Sequence, residues 1–140
     1  MNVTKSTDDC RQAPPEQLIQ GIGEFNAGEW FACHETLEDL WVGAPWGVRD
    51  LYQGILQIGV ALHHWREGNY RGAVLLLETG VKLLRHVAPV CQTVDVAGLI
   101  KESERLRKEL ERLGPERMAE LDRELVPLVK LRADNKTKCR

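Results

Sequence analysis

The sequence predicts an all-α fold: a compact bundle of five to six helices built on two antiparallel helical hairpins, with no β-sheet. Three observations predict it. Apolar residues recur at helical spacing through most of the chain, short clusters of glycine, asparagine and proline interrupt that pattern, and no alternating β-branched run appears.

The elements follow in order. Residues 1–13 are polar, small and aperiodic, and read as a disordered tail. Pro14-Pro15 opens the first helix, because proline suits a first turn where its missing amide costs nothing. That helix runs to about Asn26, and Asn26-Ala27-Gly28 tolerates a left-handed end. The second helix runs from about Glu29 to Trp41, with Trp30, His34, Leu37 and Trp41 on one face. After the Gly43–Gly47 break, the third helix, about Val48 to Glu67, has no charged residue between Leu51 and Trp65. A helix apolar nearly all round is a buried one, so it is expected at the centre. The fourth, about Tyr70 to Val87, stops at Ala88-Pro89. A fifth, about Val94 to Leu113, and a sixth from Gly114-Pro115 to about Leu125 form a C-terminal pair. The domain is therefore placed at 14–126, with its core at 15–88 and the pair at 94–126, followed by a polar tail at 127–140.

A weak repeat underlies the hairpins. Phe25-x-x-Gly28-x-Trp30-x-x-Cys33 matches Trp65-x-x-Gly68-x-Tyr70-x-x-Ala73, and Leu37 then matches Leu77, at an offset of 40 residues. The pattern is similar to the hairpin of tetratricopeptide repeats, where a small residue lets two helices cross closely. Two copies predict two hairpins packed on each other rather than a solenoid.

Bulk properties narrow the function. The 140 residues are 43% hydrophobic and 29% charged, with a net charge of −2, which makes no electrostatic case for nucleic acid or an anionic membrane. Residues 1–100 hold 7 Lys/Arg against 12 Asp/Glu, and residues 101–140 hold 12 against 9, a mixed face rather than a basic patch. No apolar run reaches the ~20 residues of a membrane span. The polar N-terminus lacks a secretory signal, so a cytoplasmic, reducing setting is the default. None of Cys10, Cys33, Cys91 and Cys139 has metal or redox spacing. Cys10 and Cys139 read as thiols in floppy termini, Cys33 and Cys91 as core thiols.

The candidate chemistry lies on the two inner helices. His34 and Glu38 are four residues apart and share a face with Trp30 and Trp41. On the third helix Gln53, Gln57 and His64 fall within ~40° of one another, while His63 points elsewhere. Buried amides need partners, so the two polar strips are expected to face each other as a His/Glu/Gln cluster. Such a cluster serves as a structural network fixing how two helices dock, or as the wall of a small-ligand or interaction site. The alternative is a metal centre. His34-Glu35-x-x-Glu38 has the shape of a His-Glu-x-x-His zinc motif with Glu as the second ligand. In that reading His34, Glu38 and His64 hold a divalent, zinc-like ion and Glu35 is the base that deprotonates its water. No phosphate-cradling glycine loop or nucleophile setting accompanies it.

Phe25-Asn-Ala-Gly28-Glu-Trp30-Phe-x-x-His34-Glu35-x-Leu37-Glu38-x-x-Trp41, then Gln53-Gly54-x-x-Gln57 and Gly68-Asn69, resembles the domain-of-unknown-function 309 family of bacteria, archaea and plastids. The resemblance covers about residues 18–88 and implies a compact helical bundle. Some members carry the description predicted metal-dependent hydrolase, which points here to His34, Glu35, Glu38 and His64. Cys33 stands where an acidic or small residue is more usual. The expectation is a small helical module, a structural network or a ligand or protein-binding unit, with the hydrolase as alternative and a homodimer as a further option.

Overall fold

The computed structural model describes residues 9–132. The expectations for residues 1–8 and 133–140, Cys139 included, lie outside the described residues. Five helices follow one another: α1 (Glu16–Asn26), α2 (Trp30–Val42), α3 (Trp46–Arg66), α4 (Tyr70–Arg85) and α5 (Val96–Arg117). Each packs chiefly on its neighbours in sequence, so α1–α2 and α3–α4 are two hairpins joined along α2 and α3.

The repeat is visible in the backbone. Gly28 and Gly68 link the helices of each hairpin with φ of 79° and 83°, a conformation that suits glycine. Around them the hydrogen bonds correspond pair by pair. Glu29 N–H donates to Glu24 O as Asn69 N–H donates to His64 O, and Cys33 N–H to Glu29 O as Ala73 N–H to Asn69 O. Cys33 and Ala73 then sit at the crossings, both fully buried.

The charge-free third helix is central, as expected. Leu51, Ile55, Ile58 and Leu62 of α3 are fully buried, and α3 contacts both α2 and α4. Small residues on both helices bring α3 and α4 close: a Cβ added at Gly54 of α3 would lie 2.6 Å from Leu84, and one at Gly80 of α4 would lie 2.8 Å from Ile58.

Three expectations are corrected beyond this core. First, a two-stranded antiparallel sheet exists: β1 (Val90–Cys91) pairs with β2 (Val94–Asp95). Its two-residue turn puts Gln92 and Thr93 at φ of 49° and 74°. This is the positive-φ pair of a tight hairpin, achieved without the usual Asn-Gly signal and with strands too short to show alternation. Buried contacts hold it: Tyr52 Oη donates to Gln92 Oε1 at 2.7 Å, and Gln92 N–H donates to Cys10 O at 2.6 Å. Second, α5 starts at Val96, with the Asp95 side chain capping Gly98 N–H at 3.0 Å. The expected sixth helix reduces to one turn after the Gly114 kink (φ 75°) and two 3₁₀ turns, Met118–Glu120 and Arg123–Leu125. An Asx turn at Asp122, whose Oδ1 accepts Glu124 N–H at 2.9 Å, replaces helical bonding there. Third, residues 127–132, read as polar tail, run back over the bundle. Asn26 grips Val129 through both main-chain groups (2.8 and 2.9 Å), and Asp95 N–H donates to Lys130 O at 2.8 Å.

Cys10 and Cys91 form a disulfide, with Cα atoms 4.2 Å apart, and not the tail thiol and core thiol that local sequence suggested. The bond pins the 3₁₀ turn Asp9–Arg11 to β1 and closes a loop with a sequence separation of 81. Disulfides persist in oxidising surroundings, so these cysteines lend no support to a reducing one. Cys33 is the buried core thiol expected. No helix of the described residues is long and apolar enough to cross a membrane.

Candidate functional site

α2 divides its residues cleanly. Trp30, Cys33 and Leu37 face the core. Phe31, Glu35, Glu38 and Val42, spaced four, three and four apart, face outward, and all are exposed. His34 lies beside this stripe, its Nε2 3.9 Å from Glu38 Oε1, with side chains 36% and 53% exposed. An ion pair at that distance and exposure is a surface pair, and the structure shows no buried cluster here. Glu35 is exposed and makes no side-chain hydrogen bond among the described residues.

The third-helix strip goes elsewhere. Gln57 accepts a hydrogen bond from Thr79 Oγ1 of α4. His64 Nδ1 lies 3.2 Å from Asn69 Nδ2, and its ring packs so closely on Gly72 that an added Cβ there would meet it at 2.8 Å. Both residues therefore help α3 dock on α4, not on α2. Gln53 is half-buried. The imidazole that does approach α2 is His63. Its ring centroid is 6.4 Å from Phe31, which in turn lies 6.5 Å from His34, and its buried Nδ1 has no hydrogen-bond partner among the described residues. The helical wheel groups residues correctly, but a half-turn decides which neighbour each one meets.

Among the described residues no three His, Cys, Asp or Glu side chains form a group that could hold a metal, and His64 meets Asn69 through Nδ1 while its ring packs on Gly72. The aromatic candidates also separate. Trp41 stacks against Arg49, whose guanidinium carbon is 5.0 Å from its ring and 5.6 Å from that of Trp46. Trp30 lines a different surface groove, with Trp65. Burial, and after it the nearby Glu24 carboxylate, pushes the Cys33 thiol up to about 12, so it stays protonated and inert.

One polar pair escaped the sequence reading. His86 Nδ1 lies 2.6 Å from Asp50 Oδ2, at the mouth of a cleft that Trp46 and Cys10 also line. The available signal was positional. His86 caps the end of α4, a position that helix dipoles favour for a basic side chain, whereas Asp50 lies beyond the first turn of α3.

The family model described as Domain of unknown function (DUF309) matches residues 18–76. Over 73 residues, 51% of the chain, the sequence is 37% identical to 42% of the "Uncharacterized protein YpuF" of Bacillus subtilis (strain 168). Over 55 residues, 39% of the chain, it is 31% identical to 16% of an "Uncharacterized protein" of Aquifex aeolicus (strain VF5). The chain thus spans less than half the length of either relative. No solved structure matches it. The family match takes in the segment that builds both hairpins up to the middle of α4, with the His34-Glu35-x-Leu37-Glu38-x-x-Trp41 helix inside it.

Proposed function

We propose that this chain is a protein-interaction module and that the outward stripe of α2 is its docking face. One observation carries this reading. Phe31 and Val42, 62% and 65% exposed, stand at the two ends of a stripe whose middle is Glu35 and Glu38. Folding needs neither exposed apolar side chain, and single helices present such stripes to partner helices. The carboxylates between the apolar ends suit a partner with a basic centre between two apolar anchors. His34 and His63 flank Phe31 and supply donors beside it.

A photo-crosslinking residue placed at Phe31 in cells tests this, with one at Leu75 of α4, also exposed, as control. A discrete adduct at position 31 that is absent at 75 and weakened by Glu38→Ala supports the reading. Equal labelling at both positions, or none at 31, overturns it. A calorimetric zinc titration separates the module from the hydrolase. Tight stoichiometric binding lost on His34→Ala and Glu38→Ala would restore a metal role, with His63→Ala and His64→Ala telling which α3 imidazole serves as third donor.

A further inference from the structure

A second surface lies on the other side of Trp30, where the α1–α2 link, the last turn of α3 and the C-terminal segment meet. Two lobes adjoin there and share Ala27, Gly28, Trp30, Trp65 and Arg123. The first, about 370 Å³, is completed by Arg66 and Ala119. The second, about 430 Å³, is completed mainly by Phe25, Val126, Pro127 and Leu128.

The walls are fixed. Trp30 Nε1 donates to Phe25 O at 3.0 Å, and Trp65 Nε1 donates to Met118 O at 3.1 Å. Each ring carries a guanidinium: Arg66 lies 4.4 Å from the Trp30 centroid, and Arg123 lies 5.9 Å from that of Trp65. Arg66 Nη1 also donates to Gly28 O at 2.8 Å, which anchors it in place. Neither arginine forms a salt bridge with a carboxylate among the described residues. A guanidinium stacked on an aromatic ring keeps in-plane N–H donors for an oxyanion. The first lobe is lined by no carboxylate, and Glu124 is the single one lining the second.

We propose that this groove binds a small organic anion. Its carboxylate or phosphate head sits between Arg66 and Arg123, and its uncharged apolar body lies against Phe25, Val126 and Leu128. Charge complementarity identifies the head, and the change from a cationic lobe to an apolar one identifies the body. The site is independent of the α2 stripe, which faces away from it on the same helix.

Calorimetry and tryptophan fluorescence on the full chain test this with four probes: hexanoate, hexyl phosphate, inorganic phosphate and hexanol. The expected result is that hexanoate or hexyl phosphate binds at least about tenfold more tightly than inorganic phosphate and than hexanol. Whichever of the two anions binds better identifies the head. Arg123→Gln is expected to weaken that binding by about tenfold or more, because it removes a charge-assisted donor. Its melting temperature should stay unchanged, since the side chain is exposed. Arg66→Gln is a second variant with the same expected loss, and Arg105→Gln on α5 is a remote control that should leave binding intact. Equal affinity for hexanol and the anions overturns the proposal, as does unchanged anion binding in both groove variants or no binding by either organic anion.

Discussion

The two inter-helix links share a backbone and differ in what closes them. In the α3–α4 link, Asn69 caps its own helix through Oδ1, accepting Gly72 N–H at 3.0 Å, and its amide meets His64. In the α1–α2 link, Glu29 stands at the same position and makes no side-chain cap. Its closure comes from the other hairpin instead, as Arg66 reaches across to Gly28 O. One turn is self-contained and the other is held from outside. The second arrangement leaves a tryptophan, two guanidinium groups and a groove at the surface. A repeated structural unit thus keeps its fold while one copy is free to acquire another role.

The shared part is tested first, because its effects are largest. Leu37 and Leu77 are equivalent, and both are buried. Leu37→Ala and Leu77→Ala should each cost about 2–5 kcal/mol, with similar values in urea denaturation. A large cost at only one position would show that the repeat is superficial. The Cys10–Cys91 disulfide closes a loop that contains both links. Cys91→Ser should therefore lower stability globally, by about 2–4 kcal/mol, and leave the relative amide exchange of the two links unchanged. Loss of protection confined to either link would contradict that.

Substitutions in the turns sharpen the contrast. Gly28→Ala and Gly68→Ala place an ordinary residue at positive φ and should each cost about 1–2 kcal/mol. The caps should then separate the two copies. Asn69→Ala removes a side-chain cap and should cost about 1 kcal/mol, while Glu29→Asn installs the missing one and should gain up to about as much. Thermal melts compare them directly. A destabilising Glu29→Asn would mean that Glu29 has a function the structure does not explain.

The repeat, the central helix and the small crossing residues were legible in the sequence because they depend on local periodicity and glycine chemistry. Cys33 and Ala73 at the crossings, and the absence of charge along α3, each state their own burial. What was not legible depends on long-range pairing. The wheel correctly put Gln57 and His64 together, but both turn to α4, where Thr79, Asn69 and Gly72 receive them. No local signal joins Cys10 to Cys91, Asp50 to His86, or Arg123 to Trp65, since each pair is brought together only by the finished fold. Gln92-Thr93 makes a hairpin turn with residues that seldom choose one, and it does so because Tyr52 and Cys10 hold Gln92 from outside.

The smallest expected effect concerns the α2 helix itself. A polar network buried between α2 and α3 would make Glu38→Ala cost several kcal/mol, through unpaired donors left in the core. The observed pair is different: His34 and Glu38 are 3.9 Å apart, 36% and 53% exposed, and Glu38 makes no side-chain hydrogen bond among the described residues. Exposed pairs of this kind contribute little, so Glu38→Ala should change stability by no more than about 0.5 kcal/mol. His34→Ala and the double variant complete a cycle whose coupling should be equally small. Urea denaturation of the four proteins measures it. A loss of several kcal/mol would return Glu38 to the folding machinery and remove the reason for reading the stripe as a docking face. A null result would leave the acidic middle of that stripe with no part in stability, which is the condition a docking face must meet.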